Sequence, residues 1–340
     1  MSVILLKLIM CRLYAHMTRS VIAKMLIFSV VQIMCAACSD DYDERMENLL
    51  NGYAEMDLTS NADKIVGLGR LRVLAVGNSY TVDGTACIQS VMNEIGEVSD
   101  DDFCVYIMNM GGASLNDWSN VYRNGEVSTI SLVAGRLRMP VTQGTMEELF
   151  AQEWDVIVFQ QVSLQADNYF SYNPSLGVLT GVARRCCTNE NMVFAWHLIH
   201  SYANSYKTNL TRGEKRWNSI CLAAQCVMAK DGFDLLIPMG TSIQNARGTS
   251  LNTEDDLTRD GTHLAYGVGR YVASCAWVQT LFAPAFGFSI LDNMNAYEIG
   301  DVEVDAAYKN TDTYVPVTDE NRVICRQCAY LACLFPYQLQ

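Results

Sequence analysis

The chain has 340 residues, half of them hydrophobic and 18% charged, and a formal net charge of -13. That balance suits a packed globule rather than a disordered chain, and the length allows one large domain or two modest ones. An acidic chain with no dense Lys/Arg cluster excludes nucleic-acid binding through a basic surface.

Arg19 and Lys24 precede an apolar run from Met25 to Met34, which is too short for a comfortable membrane span. Ala36-Ala37-Cys38 follows. This segment resembles a bacterial lipoprotein signal, with Cys38 as the lipidated first residue of the mature protein. Cys35 departs from it, standing where such signals usually carry leucine. The acidic stretch Ser39-Asp40-Asp41-Tyr42-Asp43-Glu44 resembles the tag that sends some lipoproteins to the outer cell surface. The resemblance implies a signal peptide over residues 1–37 and an exported protein held at the outer membrane or cell surface by its lipid. An uncleaved N-terminal anchor helix is the alternative. Residues 38–69 are polar and mixed, and read as a tether and irregular lead-in to a domain over residues 70–340 with a C-terminal helical extension.

From Leu71 onward short apolar runs alternate with helical patterns. The expected strands are Leu71–Val76, Phe103–Asn109, Asp155–Phe159, Met192–Trp196 and Asp234–Pro238. Between the first two, Cys87, Ile88, Val91, Met92 and Ile95 line one helical face that stops at Gly96. Thr211-Arg212-Gly213-Glu214 predicts a capping box opening a helix that runs to Lys230. Further helices are expected from Tyr266 to Leu281 and from Thr318 to Leu334. Most of the thirteen cysteines, including Cys87, Cys104, Cys221, Cys226 and Cys275, sit within these apolar patterns and read as small core hydrophobes. Cys325-Arg326-Gln327-Cys328 has no second CxxC pair to complete a zinc site.

Buried runs alternating with helices predict an α/β domain with a parallel sheet of about five strands and helices on both faces. Ligands of such sheets bind beyond the carboxyl ends of the strands. Ser79, Gly111-Gly112, Gln160-Gln161 and Trp196-His197 each follow an expected strand and should gather on one rim. A serine at a strand-to-helix turn, with an aspartate and a histidine elsewhere, can form a nucleophile, a base and the carboxylate that orients it. Asp260-Gly261-Thr262-His263 would let one short loop supply the last two. His197 and His200 have metal-ligand spacing but no third ligand nearby, so no metal and no cofactor are expected.

Gly77-Asn78-Ser79, Gly111-Gly112-Ala113-Ser114 and Asp260 to His263 together resemble the blocks of the SGNH, or GDSL-type, hydrolases. Gln160-Gln161-Val162-Ser163 departs from the family's third block, which is usually Gly-x-Asn-Asp. With the segments Ile237–Arg247 and Leu257–Leu264, it resembles a branch of largely uncharacterised bacterial surface lipoproteins. The resemblance covers about residues 70–335 and implies a flavodoxin-like three-layer sandwich. It also implies Ser79 as nucleophile, His263 as base and Asp260 as its orienting carboxylate. The oxyanion hole would be the backbone N–H groups of Ser79 and Gly112 plus one side-chain amide, from Gln161 in preference to Gln160. Asn78, Trp196 and His197 are expected at the substrate pocket. The activity implied is hydrolysis of small acyl esters, acetyl above all, on a glycan or other small acylated substrate. Lipases and thioesterases share the same blocks, and a carbohydrate-binding lipoprotein without turnover is the rival from another class.

Overall fold

A computed structural model describes residues 41–96, 98–292 and 304–340. The expected signal segment, residues 1–37, and Cys38 lie outside the described residues. Among the described residues no helix is long and apolar enough to cross a membrane.

The central sheet has seven strands: β1 (Leu71–Gly77), β2 (Phe103–Asn109), β3 (Val127–Gly135), β4 (Gln143–Thr145), β5 (Val156–Phe159), β6 (Val193–His197) and β7 (Leu235–Ile237). Their order is β4-β3-β2-β1-β5-β6-β7. The five expected strands are all present and parallel, in the order β2-β1-β5-β6-β7. Such strands are covered on both faces, so nearly every residue must be apolar. Leu71, Val73, Leu74, Ala75 and Val76 of β1 and all of β5 are at most 2% exposed. Each large aliphatic among them contributes about 1.5–3 kcal/mol by burial, which fixes where the strand ends project.

The sheet has two strands more than expected. β3 runs antiparallel to β2, and β4 runs antiparallel to β3. Only Ile130 and Ala134 of β3 are buried. A strand so exposed carries none of the continuous apolar signal that marks β1 or β5.

Helices α1 (Ser79–Thr85), α2 (Ile88–Ile95), α3 (Leu115–Arg123), α4 (Met146–Phe150), α5 (Ser175–Cys186), α6 (Gly213–Lys230), α7 (Met239–Arg247), α8 (Val268–Trp277) and α9 (Asp319–Leu334) cover the sheet. α1, α2, α7, α8 and α9 pack together, and α3, α4 and α5 form a second group. The result is the expected three-layer α/β sandwich. α8 gives way after Trp277 to a wider turn over Val278–Phe282. α9 opens with a capping box between Thr318 and Asn321. Within it Cys325 and Cys328 are buried free thiols, like every other buried cysteine among the described residues.

Two local expectations need correction. α6 starts at Gly213 with Arg212, not Thr211, at its N-cap and no side-chain cap, and Gly213 N–H donates to Tyr202 O at 3.0 Å. The stretch read as a tether packs on the domain. Residues 41–50 are helical, and Met46 and Ile65 are buried. Ser60 Oγ exchanges hydrogen bonds with both N–H and C=O of Leu236, and Asn61 N–H donates to Asp234 O at 2.7 Å. β7 is an edge strand, and these polar residues satisfy its open side. Their composition, read without a partner, looked like linker.

Candidate active site

β1 delivers the chain to Asn78, which caps α1 by accepting a hydrogen bond from Tyr80 N–H on its side-chain oxygen at 3.0 Å. Ser79 is therefore the first helical residue beyond the carboxyl end of the central strand. After the last strand, Asp260 to His263 form a tight turn. Gly261 has φ +83°, and a Cβ there would meet the Tyr206 ring at 2.5 Å, so this position requires glycine.

The turn brings three side chains into line. Ser79 Oγ lies 2.9 Å from His263 Nε2, and His263 Nδ1 lies 2.6 Å from Asp260 Oδ2. Burial would raise the Asp260 carboxyl, but it is outweighed by hydrogen bonds from His263 and Thr262. These come from His263 N–H at 2.7 Å, Thr262 Oγ1 at 2.7 Å, His263 Nδ1, and Thr262 N–H at 2.9 Å. The net shift is well below the usual carboxylate range. An ionised Asp260 only accepts, so the imidazole proton sits on Nδ1 and the Nε2 lone pair faces the Ser79 hydroxyl. That tautomer is the one able to take the serine proton.

These residues open onto a cavity of about 320 Å³ lined also by Asn78, Tyr80, Gly112, Val162, Ser163, Leu164, Tyr202, Tyr206 and Thr262. Gly112 adopts φ +70° with open space where a Cβ would be. The N–H groups of Ser79 and Gly112 have no acceptor among the described residues. The Gly112 loop is held from both sides. Asn78 Nδ2 donates to Ala113 O at 2.9 Å, and Ser114 opens α3 with a capping box to Asp117.

The glutamines are placed otherwise than expected. Gln160 Nε2 donates to Asn78 Oδ1 at 2.6 Å, and its Oε1 accepts from Thr81 Oγ1 at 2.9 Å. Gln161 Oε1 accepts from Leu115 N–H at 3.0 Å and Val162 N–H at 2.9 Å, while its Nε2 reaches Ser171 Oγ at 3.4 Å. Both are buried, and neither lines the cavity. Their amides brace the loops around Ser79 and α3 instead of facing the cavity.

Trp196 and His197 also fail to reach the pocket. Trp196 stacks on Tyr172 at 5.2 Å, and His197 lies buried with its Nε2 3.1 Å from Met239 Sδ, against the Trp277 ring. β6 extends through His197, so both side chains remain within the layers. The residues that do reach the pocket from this connection are Tyr202 and Tyr206, five and nine positions later. No local pattern distinguishes them from other loop tyrosines. His200 lies behind the site. Its Nε2 donates to Thr262 O at 2.7 Å, and Tyr80 stacks on its ring at 4.5 Å. Burial holds His200 neutral, well below the ordinary histidine range.

The sequence profile of DUF4886, a domain of unknown function, matches residues 72–312. The chain belongs to the DUF4886 family. No curated protein matches it. A DUF4886 protein from Bacteroides uniformis, known from a crystal structure, is similar over 80% of this chain and 97% of its own. The two share 25% identity with a TM-score of 0.64. More distant likenesses are to the acetyl xylan esterase AlAXEase and a GDSL-like lipase from Parabacteroides merdae. The first shares 15% identity over 61% of this chain and 98% of its own, with a TM-score of 0.41. The second shares 10% identity over 66% and 99%, with a TM-score of 0.42. The chain thus shares its fold with the DUF4886 protein from Bacteroides uniformis.

Proposed function

We propose that this DUF4886 protein is a serine ester hydrolase that removes small acyl groups, acetyl in particular, from a carbohydrate. The observation that carries the proposal is the continuous Ser79–His263–Asp260 hydrogen-bond line at the mouth of a cavity. His263 Nε2 takes the Ser79 proton as Oγ attacks the ester carbonyl. The oxyanion forms against the N–H groups of Ser79 and Gly112. The intermediate then expels the alcohol, which takes the proton from Nε2 and leaves an acyl group on Ser79. Water, deprotonated by the same nitrogen, releases the acid and restores the serine.

The chemistry of the wall supports a small acyl group on a hydroxylated alcohol. Tyr202, Tyr206, Ser163 and Thr262 bring hydroxyl groups, whereas Val162 and Leu164 are the aliphatic side chains. A long fatty acyl chain would meet few apolar partners there. A binding role without turnover draws on one specific observation, that neither Gln160 nor Gln161 offers its amide to an oxyanion. Two backbone donors remain, and removal of a single oxyanion donor elsewhere costs about 10²–10³ in rate rather than all of it.

Turnover of p-nitrophenyl acetate and of a long-chain p-nitrophenyl ester by the folded chain tests the proposal. Acetate should be hydrolysed and the long ester poorly, with both rates lost in Ser79→Ala. Equal rates in Ser79→Ala would end the hydrolase reading, and a preference for the long ester would end the acyl assignment. Export and a lipid on Cys38 remain part of the proposal, on the sequence pattern alone.

A further inference from the structure

Asp83 is a fully buried carboxylate on α1, one helical turn beyond Ser79. Its Oδ1 accepts from Arg259 Nη1 at 3.0 Å and from Arg270 Nε at 2.9 Å. Its Oδ2 accepts from Leu264 N–H at 2.9 Å and again from Arg259 Nη1 at 3.1 Å. Arg259 immediately precedes Asp260, and Leu264 immediately follows His263. The same Arg259 donates from Nη1 to Leu264 O and from its backbone N–H to His263 O, the latter at 2.8 Å. Both ends of the turn that carries the base are thus tied to one carboxylate on the helix that carries the nucleophile.

The arginines are held in turn. Arg259 and Arg270 lie over the Tyr266 ring at 4.8 and 4.6 Å, and Arg270 Nη1 pairs with Asp305 at 3.2 Å. The charges therefore have little freedom to rearrange.

We propose that Asp83 and Arg259 are positioning residues that set the separation of Ser79 Oγ and His263 Nε2, a role that rests on the ester-hydrolase reading of the site. A shift of about 1 Å between reacting groups costs on the order of 100-fold in rate. A contact that only stabilised the fold would not act on kcat in this way.

The test compares wild type, Asp83→Asn, Arg259→Gln and Arg259→Lys with a control, Glu94→Gln. Glu94 is also a buried carboxylate paired with two arginines, Arg322 at 3.2 Å and Arg326 at 2.6 Å, and it accepts from the Tyr271 hydroxyl; its partners lie on α8 and α9 rather than on the catalytic turn. Asp83→Asn should lower kcat on p-nitrophenyl acetate by roughly 30- to 100-fold with KM within about threefold. Arg259→Gln should lower it by about tenfold, and Arg259→Lys should recover part of that loss. Glu94→Gln should lower the melting temperature and leave kcat within about twofold. A folded Asp83→Asn with wild-type kcat would overturn the clamp. So would a kcat loss matched by Glu94→Gln at equal loss of melting temperature. If Asp83→Asn does not fold, Arg259→Gln carries the same test, since its side chain is partly exposed. A crystal structure of whichever variant folds reads the clamp without turnover. The 2.9 Å Ser79–His263 contact should open beyond hydrogen-bond range. Its retention overturns the clamp even if the wild type hydrolyses no ester, whereas failure of wild-type turnover with an opened contact overturns the hydrolase reading alone.

Discussion

Asn78 caps the helix that carries Ser79, and the structure predicts that an aspartate in its place would be harmful. Its side chain is 1% exposed and makes three hydrogen bonds. Oδ1 accepts from Tyr80 N–H and Gln160 Nε2, and Nδ2 donates to Ala113 O at 2.9 Å. Asn78→Asp keeps the two acceptor contacts but turns a carboxylate oxygen against the Ala113 carbonyl oxygen, with no donor between them. A buried polar contact broken in this way costs about 2–3 kcal/mol at neutral pH. Expressed as linkage, that raises the new carboxyl by about two units above the usual 3.9, to roughly 6. A raised folded-state value means stability present at low pH and lost as pH rises. Below about pH 4 the carboxyl is protonated and donates to Ala113 O, so the deficit closes. It then grows by about 1.4 kcal/mol per pH unit to its plateau above about pH 6. For a chain of this length, 2–3 kcal/mol lowers the melting temperature by about 4 °C. Thermal unfolding of variant and wild type, compared at pH 4 and at pH 8, reads the difference directly. An equal deficit at both pH values, or none at pH 8, would refute the reasoning.

Other outcomes follow from the same contacts. Gln161→Ala should cost about 1–3 kcal/mol of stability, through the orphaned N–H groups of Leu115 and Val162, with kcat changed less than tenfold. A loss of kcat of about 10²–10³ at unchanged stability would instead return Gln161 to the oxyanion hole. Burial pushes His197 down to about 3 and His200 well below the ordinary range. Their depressed values contribute stability that is present above the unfolded value near 6.5 and lost as pH falls toward the folded one, at about 1.4 kcal/mol per unit for each. His197→Asn should therefore flatten the fall in stability between about pH 6 and 4, and an unchanged slope would contradict this. Ser79→Ala and His263→Ala should each abolish nearly all turnover, with the double variant little worse than either; additive losses would show that the two do not act as a unit. Cys38→Ser should free the protein from the membrane fraction or leave its precursor uncut, and a soluble wild type with an unmodified Cys38 would exclude the anchor.

The parts of the fold legible in the sequence were those whose signal is local and strong. β1, β2, β5, β6 and β7 are buried on both faces along most of their length and are apolar at nearly every position, so their composition reveals them. The Asp260–His263 spacing likewise encodes a contact made within one turn. What stayed hidden depends on partners distant in sequence. Ser60 and Asn61 are polar because they complete the edge of β7, some 175 residues away. Gln160 and Gln161 follow a strand at the active rim, as a donor would. Whether an amide faces the cavity or braces Asn78 and Leu115 is decided by side-chain direction, which spacing does not carry. Asp83 lay inside the helix after Ser79 with no mark of its own, and it acquires meaning only when Arg259 and Leu264 are folded against it.

The central claim is that Ser79 is a nucleophile activated by His263. Intact wild type and His263→Ala, each treated with a phosphonofluoridate and digested, can be compared by mass spectrometry of the peptide containing Ser79. Wild type should carry the phosphonyl adduct on Ser79, and His263→Ala should form it on the order of 10³-fold more slowly or not at all. No adduct on Ser79 of the folded wild type, or equal modification of both proteins, would contradict the account.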